Sequence, residues 1–123
     1  MSKPLRLSEL SSARQALVRL CQTINWGSIE NLTVEHSEPI FDPSPLILTD
    51  LKLDSDEGPR PELALADFVV GNEVLRLMIL LDEMKSGTIR HIVVNAGIPR
   101  RILLESQVTG APENSATSVR RPK

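Results

Sequence analysis

Leu17 to Pro39 reads LVRLCQTINWGSIENLTVEHSEP, and Leu77 to Pro99, sixty residues further on, reads LMILLDEMKSGTIRHIVVNAGIP. The two stretches align without a gap. Leu17, Leu20, Cys21 and Ile24 fall on Leu77, Leu80, Leu81 and Met84; Gly27, Ser28 and Ile29 fall on Gly87, Thr88 and Ile89; Leu32, Val34 and Pro39 fall on Ile92, Val94 and Pro99. A glycine, a hydroxyl residue, an isoleucine and a proline held in one register mark an internal repeat. Its first copy is expected over about 12–42 and its second over about 67–105.

Each copy reads as a helix followed by a β-hairpin. In the first, Ser12 with Gln15 has the form of a capping box, and apolar residues at 13, 16, 17, 20, 21 and 24 keep the helical rhythm. In the second, Asp67 is the expected cap, ahead of apolar positions 70, 74, 77, 78, 81 and 84. Gly27 and Gly87 stand where a helix closes in the left-handed conformation, so both helices are expected to stop there. Ser28 to Val34 and Thr88 to Val94 are rich in β-branched residues, and Asn95-Ala96-Gly97 supplies good turn chemistry between the second pair of strands. His36-Ser37-Glu38 does the same less well, lacking glycine. Apolar residues at 29, 32 and 34, and at 89, 92 and 94, break strict alternation, and a bulge near 30–31 and 90–91 restores it.

Between the copies, Asp42-Pro43-Ser44-Pro45 makes a stiff turn, and Leu46 to Asp54 alternates as a half-exposed strand with Ile47, Thr49, Leu51 and Leu53 on one face. An acidic turn with Gly58, Pro59 and Pro61 follows. The expected fold is therefore α+β: two helix-plus-hairpin repeats form a mostly antiparallel sheet covered on one face by two helices, within a single domain spanning 1–105. Residues 106–123 carry almost no large apolar side chains and read as a flexible polar tail with a basic end.

Composition narrows the function classes. The chain has 123 residues, 41% hydrophobic and 24% charged, which fits one soluble domain and argues against wholesale disorder. Its longest apolar run is five residues, Leu77 to Leu81, against the roughly 20 that a membrane-spanning helix needs. The first ten residues lack the features of a secretory signal, so a cytoplasmic location is expected. The single cysteine, Cys21, leaves neither an intramolecular disulfide nor a multi-thiolate metal site, and its place on an apolar helix face suits a core residue. The net charge of −2 is uneven, at +3 over 1–29, −8 over 30–67, −1 over 68–85 and +4 over 86–123.

No convergent catalytic set is evident. Asp50, Asp54, Asp56 and Glu57 offer hard oxygen ligands, but without the spacing of a calcium loop and with Pro59 and Pro61 where such a loop must curl. Six dispersed glycines make no phosphate loop. Arg90, Arg100 and Arg101 on the second hairpin, with Arg120, Arg121 and Lys123 at the end, could meet the phosphates of a nucleic acid, against which stand the acidic middle and the scarcity of aromatic side chains. Asp50, Asp54, His36 and His91 are the titratable residues nearest the expected strand ends, and would serve a small-ligand protein or enzyme.

Leu77 to Glu105, from the helix through Gly87-Thr88-Ile89 to Ile98-Pro99-Arg100, resembles small uncharacterised bacterial proteins built as a helix followed by a glycine, a hydroxyl residue, a β-branched residue and a hairpin. Asn25 to Glu30, Glu38 to Pro43 and Gly58 to Glu62 are likewise similar to bacterial proteins of this length. The resemblance implies a bacterial cytosolic origin and carries no activity, cofactor or site residue. The expected function is thus a non-enzymatic protein-interaction or regulatory module without cofactor, metal or membrane, its partner a protein, with a second copy in a homodimer as one candidate. Nucleic-acid binding and a small-ligand site stand as the alternatives.

Overall fold

The computed structural model describes residues 4–54 and 64–105. Helix α1 spans Ser12–Ile24 and is capped by Ser11, whose hydroxyl accepts the Arg14 backbone N–H at 3.2 Å. The cap is thus one residue earlier than expected, and the Gln15 side chain instead donates to the Leu10 carbonyl at 2.9 Å. Helix α2 spans Asn72–Met84. The closing residues are Asn25 (φ 64°) and Lys85 (φ 60°), which donate their N–H groups to the carbonyls of Cys21 and Leu81 at 3.0 and 3.3 Å. Gly27 (φ 155°) and Gly87 (φ 150°) come two residues later and turn the chain into the next strand.

Five strands form one antiparallel sheet: β1 (Trp26–Glu35), β2 (Glu38–Ile40), β3 (Leu46–Thr49), β4 (Gly87–Asn95) and β5 (Ile98–Leu104). β1 and β4 lie in the middle, with β5 outside β4, and with β2 and β3 sharing the outer edge of β1. The central ladder reads alike from either end: Gly27 faces Val94 and Gly87 faces Val34, with Ile29 opposite Ile92 and Leu32 opposite Ile89 between them. Both hairpins turn through two residues of positive φ, His36 and Ser37 (53° and 65°) and Ala96 and Gly97 (55° and 77°), as a type I′ turn requires. Each turn also binds the helix end of the other half. Ser37 donates its N–H to the Lys85 carbonyl at 2.7 Å, and Gly97 donates to the Asn25 carbonyl at 2.8 Å.

The expected irregularities fall in place. Asn31 has φ 61°, and the β4–β5 register slips between Ile89 and His91. Because Ile29 and Leu32 both face the helices, Glu30 and Asn31 both leave on the other side, as do Arg90 and His91 between Ile89 and Ile92. The third strand is shorter than its sequence alternation suggests. It ends at Thr49, where the Asp50 N–H meets the Trp26 carbonyl at 2.7 Å; β1 begins at Trp26, so nothing remains to pair with Leu51 and Leu53, which are 75% and 98% exposed.

Both helices pack on one face of the sheet. Ile29, Leu32, Val34, Ile89, Ile92 and Val94 are wholly buried against Leu17, Val18, Cys21 and Ile24 of α1 and Val74, Leu77, Met78 and Leu81 of α2. Each such side chain contributes about 1.5–3 kcal/mol by leaving water. Arg14, with a largely buried guanidinium, ties α1 to both neighbours through the Ser37 carbonyl at 2.9 Å, Asp82 at 2.6 Å and Glu38 at 3.5 Å.

Asp67 does not cap α2. Residues before the helix run extended, Val69 bridging to Arg6, so the helix starts only after Gly71. Asp67 instead accepts from Arg6 Nε at 2.8 Å, from the Ser8 N–H at 2.8 Å and from Ser8 Oγ at 2.9 Å. With Leu7 N–H donating to Phe68 O and Val70 N–H donating to Leu5 O, this fixes the N-terminal segment and plugs Leu7 into the core at 1% exposure. The proposed tail, the acidic turn Asp54 to Glu62 beyond its first residue, and with them Asp56, Glu57, Arg120, Arg121 and Lys123, lie outside the described residues.

Candidate functional site

Strand alternation sends every second side chain of the sheet away from the helices, and among the described residues no element covers that second face. Register sorts it into rows. Leu48, Ser28, Val93 and Arg101 lie opposite one another across β3, β1, β4 and β5. The next row is Leu46, Glu30, His91 and Leu103. A third joins Ile40, Thr33 and Thr88.

The face has a polar centre and apolar flanks. Glu30 Oε2 sits 3.7 Å from His91 Nε2, both side chains about one-third exposed. Leu46, Leu48 and Leu103 are 51%, 46% and 53% exposed. Both leucines of β3 and Leu103 of β5 thus border the acid and base on opposite sides.

The three arginines expected to meet nucleic acid are divided. Arg90 Nη1 lies 3.3 Å from Glu105, and Arg100 Nη1 lies 3.1 Å from Glu73 on α2. Arg101 is paired with Val93, whose neighbours Ile92 and Val94 face the helices, and so leaves on the other face. A continuous basic stripe does not form from these three.

The other titratable candidates are dispersed. His36 is in the turn after β1, and Asp50 is beside Trp26 at the start of β1, so they sit at opposite ends of a ten-residue strand. Asp54 is exposed beyond β3, and only His91 lies on the open face. Among the described residues no three metal-ligating side chains gather. The Cys21 thiol is 1% exposed and is pushed up to about 12 by burial, which keeps it protonated and unreactive at neutral pH. A cleft of about 250 Å³ lies between α1, the start of α2 and the second hairpin turn. It is walled mainly by Val18, Phe68, Val74 and Ile98, and the one amide that reaches it, Gln22, already accepts from Arg19 at 3.0 Å.

No family model matches this chain, and no curated protein or solved structure does either. The geometry itself must carry the functional reading. Among the described residues no helix is long and apolar enough to cross a membrane. What the sequence did not disclose is the Glu30–His91 pair, because only the β1–β4 register brings residues 61 apart in sequence to face each other. The signal was present in the spacing of apolar residues: bulges near 30–31 and 90–91 on two central strands force polar residues to one side.

Proposed function

We propose that the protein is a non-enzymatic protein-interaction module that works through the open face of its sheet, in a bacterial cytoplasm as the sequence resemblance implies. The observation that carries this reading is the alignment of Leu46 and Leu48 on one border and Leu103 on the other, around a half-exposed acid–base pair. An open sheet face of this kind, apolar in patches and polar in between, suits a protein partner better than a small molecule, which needs concavity. The division of Arg90, Arg100 and Arg101 between ion pairs and two faces weighs against a phosphate backbone as partner.

The test is a photoreactive amino acid placed at Val93, in the middle of the face, and separately at Glu83 on the exposed side of α2. Irradiation in the cells that make the protein is expected to give a discrete protein adduct from the Val93 site and none from the Glu83 site. No adduct at Val93, or equal adducts at both sites, overturns the reading.

A further inference from the structure

We infer that the open sheet face is the contact surface of a homodimer, two copies packing face to face about a twofold axis that runs along the strands. This rests on the protein-interaction reading and names its partner. The second row of the face is self-complementary under that operation. Read from β3 to β5 it runs Leu46, Glu30, His91, Leu103. Turned over about an axis parallel to the strands, the partner presents the same row reversed, so leucine meets leucine at both ends and glutamate meets histidine twice in the middle.

No other twofold arrangement in the plane does this. An axis across the strands would set β1 upon β1 and β4 upon β4, bringing Glu30 against Glu30 and His91 against His91. Like charges placed opposite each other in an interface cost association strongly, and complementary ones fix orientation. The first row agrees with the proposed axis: Leu48 then covers the aliphatic stem of Arg101, and Ser28 meets Val93. Aligned sheets pack about 10 Å apart, a span that facing glutamate and histidine side chains bridge between them. The isologous contact uses the same patch on both copies, as closed dimers do.

Sedimentation of the full chain decides the matter, read together with the charge swap Glu30→Lys, its counterpart His91→Glu, and the two combined. The native chain is expected to sediment at twice 13.6 kDa at high micromolar concentration. His91→Glu puts carboxylates together at two symmetry-related places, and Glu30→Lys replaces the acceptor that faces each imidazole with a donor; each is expected to weaken association on the order of 100-fold. The double swap restores acid against base and is expected to recover the dimer. Circular dichroism of each variant checks folding, and since both side chains are partly exposed, their replacement leaves the core intact. A native chain that stays monomeric, single swaps that leave the dimer undisturbed, or a double swap that does not recover it would each overturn the inference. A strict monomer that still gives adducts of another mass from Val93 removes self-association and leaves the protein-contact reading standing. Absence of any adduct removes both.

Discussion

Gly27 and Gly87 hold nearly the same φ yet meet different neighbours. A Cβ built on Gly27 would lie 2.0 Å from the Leu48 carbonyl oxygen, which is part of the β1–β3 ladder and cannot retreat without unpairing β3. One built on Gly87 would meet only the terminal methyl of Met84, at 3.2 Å. Both sites carry the strain of a positive φ, about 1–3 kcal/mol for a side-chain-bearing residue. Gly87→Ala is therefore expected to destabilise by about that amount, while Gly27→Ala adds the collision and is expected to cost about 3 kcal/mol or more. Urea unfolding at unchanged slope measures the difference, and equal midpoints for the two variants would contradict it. The importance of both glycines was legible in the sequence, but their role was not. Glycine is the usual helix closer, but in the fold Asn25 and Lys85 take the positive φ two residues earlier.

At the level of elements, the segment Leu5–Leu10 depends on Asp67 for its attachment. Arg6, by its side-chain hydrogen bond, and then the Ser8 N–H hold the Asp67 carboxyl well below the usual carboxylate range. A depressed value in the folded state means that the stabilisation is present above the ordinary carboxylate value and is lost as pH falls through the folded one. Hydrogen-exchange protection of the Leu7 and Val70 amides, which bind Phe68 and Leu5, is expected to decline in acid in the native protein. In Asp67→Asn it is expected to be reduced already at neutral pH and to lose this acid step. Unchanged protection in the variant would show that the backbone bonds alone hold the segment. Helices and hairpins were readable because each carries its own periodicity and turn residues. This attachment was not, since it joins residues about sixty apart by one carboxylate whose position before an apolar stretch looks like a cap. The end of β3 was hidden for a related reason: alternation continues to Asp54 in the sequence, but the partner strand stops supplying backbone at Trp26.

Over the whole molecule, the two halves are locked reciprocally, each hairpin turn binding the helix end of the other and both central strands sharing one ladder. Neither half has its own complete sheet. Unfolding of one is expected to carry the other along, giving a single cooperative transition. If the open face pairs copies as inferred, the midpoint of that transition rises with protein concentration in the native chain and is independent of concentration in Glu30→Lys. Calorimetry over a wide range of concentrations checks this, and a native midpoint that does not move would speak against pairing.

The outer borders of the sheet differ in continuity. β5 offers one run of seven residues in which Pro99, near its start, is the only one without an N–H, whereas β2 and β3 are separated by Asp42-Pro43-Ser44-Pro45, where two more prolines bring no N–H to donate. A foreign strand can therefore zip onto one margin and finds no matching run at the other. Were molecules to join margin to margin, two β5 strands would saturate each other and the growth would end at a pair, so the broken border acts as a terminator against fibre formation.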